Sequence, residues 1–213
     1  MKSYNLWRSP VKNNLHRLGL FGGTFNPIHV GHLRLAEDVR EEFDLDRIIF
    51  IPSDTPPHKE VAYDPGPMHR LNMVKYAIDE NLYFSCDDVE LRRGGVSYTV
   101  DTVRYVYGHY RFENKPFFII GSDLINQLMS WKDSENLIKM VDFIVLLRDN
   151  MKAEALKLEG PSQFLLFDKR TIDVTSSEIR ERLAAEKSVR YLVPEKVEAY
   201  IRKHRLYEHP AEG

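Results

Sequence analysis

Only one cysteine, Cys86, occurs in the 213 residues. A lone thiol excludes an intrachain disulfide framework and any cysteine-rich zinc site, and it suits a reducing compartment. An excess of one charge is also missing, with 30 basic residues against 32 acidic ones. The broad basic face of a dedicated nucleic-acid binder is therefore not expected, whereas a local pocket for a small anion is compatible with this balance. No apolar run approaches membrane-spanning length, and the opening MKSYNLWRSPVKNN has no apolar core of signal-peptide length. The expectation is a cytoplasmic protein with no membrane and no nucleic-acid partner. Internal repeats and low-complexity segments are absent, and nothing decides between a monomer and a homo-oligomer.

What is present is an alternation of strand and helix patterns. LHRLGLF, RIIFIP, YFSCDDVEL, PFFIIG, VDFIVLL and QFLLF read as strands, most of them short and continuous enough for a buried parallel sheet. Between them, Leu35, Ala36, Val39 and Phe43 share one helix face, and Met68, Leu71, Val74, Ala77 and Ile78 another. The pattern predicts an α/β fold, a doubly wound, Rossmann-like parallel sheet with helices on both faces. Ligands then gather at the carboxyl ends of the strands, where the strand order reverses. The organisation expected is an extension at 1–14, one domain at 15–207 and a frayed tail at 208–213. A last helix opens at Pro194 with Val197 and Ile201 on one face.

The densest chemistry follows the first strand, in LGLFGGTFNPIHVGH, Leu18 to His32. Gly22 and Gly23 permit a tight turn and a close backbone approach to a ligand. Asn26 followed by Pro27 reads as a helix start, cap and first position. His29 and His32 then share one face, and Gly31 removes a side chain between them. A helix N-terminus with open donors and two imidazoles is a phosphate site. A zinc pair has less support, since no H-E-x-x-H and no third ligand at local spacing occur.

GGTFNPIHVGH resembles the signature of the nucleotidyltransferase superfamily, whose H-x-G-H motif binds the triphosphate of ATP or CTP. VTSSEIR, Val174 to Arg180, resembles the second half of that signature. Thr175, Ser176 and Ser177 precede a helix there, so that hydroxyls and N–H groups can hold phosphates with Arg180 one turn on. Further strings are similar to the bacterial nicotinate-mononucleotide adenylyltransferases: PPHK (Pro56 to Lys59), SYTVDT (Ser97 to Thr102), GSDL (Gly121 to Leu124) with Trp131, and YLVPEKVEAYI (Tyr191 to Ile201). The extension before the first strand departs from the family pattern.

The resemblance implies adenylyl transfer from ATP, with Mg²⁺ held by the phosphates and no protein metal ligands, to nicotinate mononucleotide. It implies His29, His32 and Arg180 as catalytic groups. Gly22, Gly23, Thr24, Phe25, Gly31, Asp123, Thr175, Ser176 and Ser177 would join them on ATP. Thr24, Lys59, Thr99, Trp131 and Lys132 would hold the mononucleotide. Residue chemistry alone leaves alternatives. Lys59 reads equally as a solvated lysine, Asp123 as a helix cap, Trp131 as a core aromatic, and Ser97 or Thr99 as an N-cap. Other readings of the chain are a nicotinamide-mononucleotide or pantetheine-phosphate type of transferase, or a non-catalytic nucleotide sensor. A class I aminoacyl-tRNA synthetase fragment would need a K-M-S-K-S loop, which is absent.

Overall fold

The computed structural model describes residues 14–55, 63–147, 161–168 and 172–208. Lys59, the extension up to residue 13 and the tail from residue 209 lie outside the described residues. Each of the six apolar runs contributes a strand: β1 (Leu18–Gly23), β2 (Arg47–Pro52), β3 (Phe84–Cys86), β4 (Phe117–Gly121), β5 (Asp142–Leu146) and β6 (Phe164–Phe167). All pair in parallel, in the order β3-β2-β1-β4-β5-β6. The chain winds outward from β1 through β2 and β3, then restarts at β4 on the other side of β1. The order therefore reverses between β1 and β4, where diverging loops leave a crevice for ligands.

The helices are α1 (Val30–Glu42), α2 (Pro67–Ile78), α3 (Val89–Arg93), α4 (Thr99–His109), α5 (Ser122–Ile125), α6 (Ser134–Met140), α7 (Ser176–Ala184) and α8 (Glu195–His204). Side chains alternate along each strand and so feed two cores. On one face, Phe21, Ile48, Phe50, Ile119 and Ile144 meet Val39 of α1, Val74 of α2, Ile179 of α7 and Val197 of α8. On the other, Leu20, Ile49, Ile51, Phe118 and Val145 meet Val89 of α3, Val103 of α4, Ile125 of α5 and Leu137 of α6. Burial of each such side chain contributes roughly 1.5–3 kcal/mol, so the sheet is a rigid floor for the loops at its carboxyl edge.

Three local expectations are corrected. YFSCDDVEL is a strand only at Phe84–Cys86, because Asp87 Oδ1 accepts the Val89 N–H at 2.8 Å and turns the chain into α3. In α2, Met68 is exposed, and the buried stripe runs through Arg70, Leu71, Met73, Val74 and Ile78. The first long helix starts at Val30 with His29 as its N-cap; Asn26 and Pro27, joined by a cis peptide, belong to the loop before it. α8 begins after Pro194 as expected and buries Val197, Tyr200 and Ile201.

Candidate active site

Gly22 and Gly23 are the last two residues of β1, and neither has a positive φ. Their lack of a side chain serves close approach. A Cβ on Gly22 would lie 3.3 Å from Phe118 Cζ, and one on Gly23 would lie 3.0 Å from Phe25 Cζ. Phe25 sits at φ 50, which folds its ring back over Gly23 and sets it edge-on to His32, with centroids 5.3 Å apart.

His29 and His32 are brought together as the spacing implies, their ring centroids 3.7 Å apart. Nδ1 of His32 accepts the backbone N–H of His29 at 3.3 Å. The pair lies close enough for a reciprocal capping box, although only this one bond has full hydrogen-bond geometry. His29 is 6% exposed, and its Nδ1 is buried without a partner. Burial lowers its pKa from 6.5 to about 4, so at neutral pH the ring is an uncharged hydrogen-bonding group. The donors at the start of α1 are fewer than expected, because the Val30 N–H is taken by the Leu192 carbonyl at 3.0 Å.

The second motif docks directly on this loop. Arg180 Nη1 donates to the Asn26 carbonyl at 2.8 Å and Nη2 to Ser177 Oγ at 3.1 Å, while its Nε is buried and unpartnered. Ser176 Oγ donates to the Pro27 carbonyl at 2.9 Å. Thr175 is the N-cap of α7, its hydroxyl accepting the Glu178 N–H at 3.1 Å. These side chains serve the fold as cap and tether. The tethers place the N-terminus of α7 and a guanidinium beside the His29–His32 pair, two segments separated by about 150 residues of sequence.

A second group forms around the start of α4. Thr99 is its first residue, as SYTVDT implies, and neither Ser97 nor Thr99 is the N-cap; Tyr98 occupies that position with no side-chain cap. Lys132 Nζ donates to Asp101 Oδ2 at 2.8 Å and lies 4.3 Å from the centroid of the Tyr98 ring. Trp131 is half-buried, edge-on to Phe118 with centroids 6.3 Å apart, so it is both a core neighbour and partly open. Asp123 is exposed in α5 directly after β4. Thr24 meets Arg70 through its carbonyl, at 2.9 Å.

Arg70 and Tyr207 were not singled out by the motifs. Arg70, fully buried, also donates to the carbonyls of Ser53 at 2.6 Å and Asp54 at 2.8 Å and to Asp64 Oδ1 at 2.9 Å. It thereby ties the loops after β1 and β2 together. The signal for it was the four-residue spacing of Arg70, Val74 and Ile78, which puts an arginine inside an apolar stripe. Tyr207 OH donates to Asn26 Oδ1 at 2.7 Å, a contact that no local pattern announces. Among the described residues, no group of three or more His, Cys, Asp or Glu side chains is placed to hold a metal ion, and no helix is long and apolar enough to cross a membrane.

A family model described as cytidylyltransferase-like matches residues 20–182. A protein of Bacillus pumilus named "Probable nicotinate-nucleotide adenylyltransferase" is 41% identical over 194 residues, covering 91% of this chain and 100% of its own. A protein of Synechococcus sp. with the same name is 38% identical over 209 residues, covering 95% of this chain and 100% of its own. Among solved structures, the Plasmodium falciparum nicotinic acid mononucleotide adenylyltransferase complexed with NaAD shares the fold, with a TM-score of 0.70 at 22% identity over 90% of this chain and 97% of that one.

Proposed function

This chain belongs to the cytidylyltransferase-like family, among the nicotinate-nucleotide adenylyltransferases, and from that premise we propose that it joins ATP and nicotinate mononucleotide into nicotinate adenine dinucleotide, releasing pyrophosphate, as a cytoplasmic enzyme of NAD biosynthesis. Residues 15–207 act as one catalytic domain, with no nucleic-acid or membrane partner. The observation that carries the reading is the docking of Ser176 and Arg180 on the Pro27 and Asn26 carbonyls, which gathers His29, His32 and the start of α7 at the point where strand order reverses.

The mononucleotide phosphate attacks the α-phosphorus of ATP. A new P–O bond forms, the bond to the bridging α–β oxygen breaks, and pyrophosphate leaves with that electron pair. A phosphate monoester has a second pKa near ~6, so the attacking oxygen is deprotonated at neutral pH and no general base is required. Catalysis reduces to positioning and charge stabilisation. His29, neutral, and His32 hydrogen-bond the triphosphate. Arg180, exchanging its Asn26 and Ser177 contacts for phosphate oxygens, holds the leaving pyrophosphate together with the N–H groups of Ser176 and Ser177. Mg²⁺ bound with ATP would disperse the charge of the phosphates beside His29, His32 and Arg180.

Gly22, Gly23, Thr24, Phe25 and Gly31 let the nucleotide approach the backbone, and Asp123 and Thr175 complete its binding. Trp131 stacks on the pyridine ring, Lys132 and Lys59 meet the mononucleotide, and the start of α4 at Thr99 receives the nicotinate carboxylate. A carboxylate accepts with both oxygens there, whereas an amide turns an NH₂ toward a donor. Charge-assisted bonds are about twice as strong as neutral ones and an unmet buried donor costs ~1–3 kcal/mol, so kcat/KM favours the acid at least about tenfold. Comparing the acid and amide mononucleotides under identical ATP and Mg²⁺ tests this. Equal values, or a preference for the amide, contradict it.

A further inference from the structure

α4 begins without a side-chain cap although hydroxyls stand on both sides of its start. One buried carboxylate, Glu90 of α3, bonds two hydroxyls there, Ser97 in the loop before the helix and Thr102 within its first turns. Thr102 Oγ1 donates to Glu90 Oε1 at 2.6 Å and accepts from Arg93 Nη2 at 3.2 Å. Ser97 Oγ also hydrogen-bonds Glu90 and accepts the Asp54 N–H at 3.0 Å. Each hydroxyl gives its one proton to Glu90, which fixes the orientation of both side chains while their oxygens still accept from Arg93 and Asp54. Without Glu90 the nearest acceptor for Thr102 is the Tyr98 carbonyl, 3.4 Å away, and such bonding to the i−4 carbonyl bends a helix. Asp101, the acidic side chain of the first turn, is held aside by Lys132 at 2.8 Å and Arg104 at 3.3 Å. The Tyr98 carbonyl receives the N–H groups of Asp101 and Thr102, so those of Thr99 and Val100 precede the first intrahelical bond.

We propose that Glu90 is a positioning residue for acid-over-amide selectivity: by bonding Ser97 and Thr102 it holds the loop before α4 and the first turn of the helix in place, with the leading N–H groups presented to the pyridine carboxylate. The proposal rests on the reading that this carboxylate binds at α4. Glu90 touches no substrate. It acts through the two hydroxyls, and the Asp54 link through Ser97 carries the same constraint to the loop after β2.

The experiment compares kcat/KM for the acid and amide mononucleotides in the wild type, Glu90→Gln, Thr102→Val and Thr102→Ser, with KM for ATP and melting temperature measured on each. A glutamine carbonyl can accept from one hydroxyl, but its NH₂ then faces the other. The expected result is an acid-to-amide ratio reduced about tenfold in Glu90→Gln and Thr102→Val, through KM for the acid, with KM for ATP within about twofold; Thr102→Ser keeps the ratio. Should Glu90→Gln fail to fold, Thr102→Val carries the same comparison. An unchanged ratio in folded variants, or an equal rise in KM for ATP, overturns the proposal. A wild type without acid preference instead overturns the carboxylate reading beneath it.

Discussion

Gly31 has no side chain where the ring of His29 lies: a Cβ there would stand 3.0 Å from His29 Nδ1, 3.1 Å from Cε1 and 3.3 Å from the Ile172 carbonyl. The glycine of the H-x-G-H string is thus a packing requirement of its first histidine. Gly31→Ala adds helix propensity of about 1 kcal/mol, but overpacking costs typically ~1–3 kcal/mol, and the ring is what gives way. Stability is expected to change little while kcat falls about tenfold or more, because a displaced donor no longer fits the transition state. Wild-type kcat in this variant would show that the ring position is unimportant.

His32→Ala is expected to lower turnover by on the order of 10² or more, the range for one preorganised donor. It also removes the acceptor of the His29 N–H, at a cost of about 1 kcal/mol. Near-normal turnover in the folded variant would remove His32 from the site.

Burial of His29 gives acid instability a sign. Its pKa falls from 6.5 to about 4, so between those values the unfolded chain takes up a proton that the folded chain refuses. Stability from this group is intact above about pH 6.5 and is lost as pH falls through about 4, by roughly 3 kcal/mol in all. Melting of the ligand-free protein across that window checks it against His29→Asn, which has no ring to titrate. An equally steep pH slope in the variant would contradict the assignment.

Trp131→Ala should raise KM for the mononucleotide by an amount equivalent to roughly 1–3 kcal/mol of lost stacking, with KM for ATP changed much less. Because the indole also packs edge-on against Phe118, a modest drop in melting temperature accompanies it. Equal loss for both substrates would mark Trp131 as a core residue alone.

The strand–helix alternation and the two motifs that carry the family resemblance were legible in sequence because burial periodicity and glycine or hydroxyl chemistry are local. Helix starts were less so. Asn26–Pro27 has the composition of a cap, yet the chain keeps Asn26 in the loop, where its carbonyl meets Arg180 and its side chain meets Tyr207. Those partners lie far along the chain, so no window around residue 26 contains them. Glu90 was hidden for a related reason: YFSCDDVEL reads as a strand, whereas the turn at Asp87 makes the segment of Glu90 helical and packs it against α4. Arg70 was readable in principle, since its helical spacing placed a charge where only a buried, fully bonded guanidinium can sit.

The central claim is adenylyl transfer to a pyridine mononucleotide, and product identity across an acceptor panel tests it most directly. Purified protein with ATP and Mg²⁺ is offered nicotinate mononucleotide, nicotinamide mononucleotide, phosphopantetheine or glycerol phosphate, with pyrophosphate followed and products identified by mass. The account predicts one pyrophosphate per nicotinate adenine dinucleotide and a much slower reaction with every other acceptor. Pyrophosphate release with phosphopantetheine as the best acceptor, or with none of the four, would contradict it.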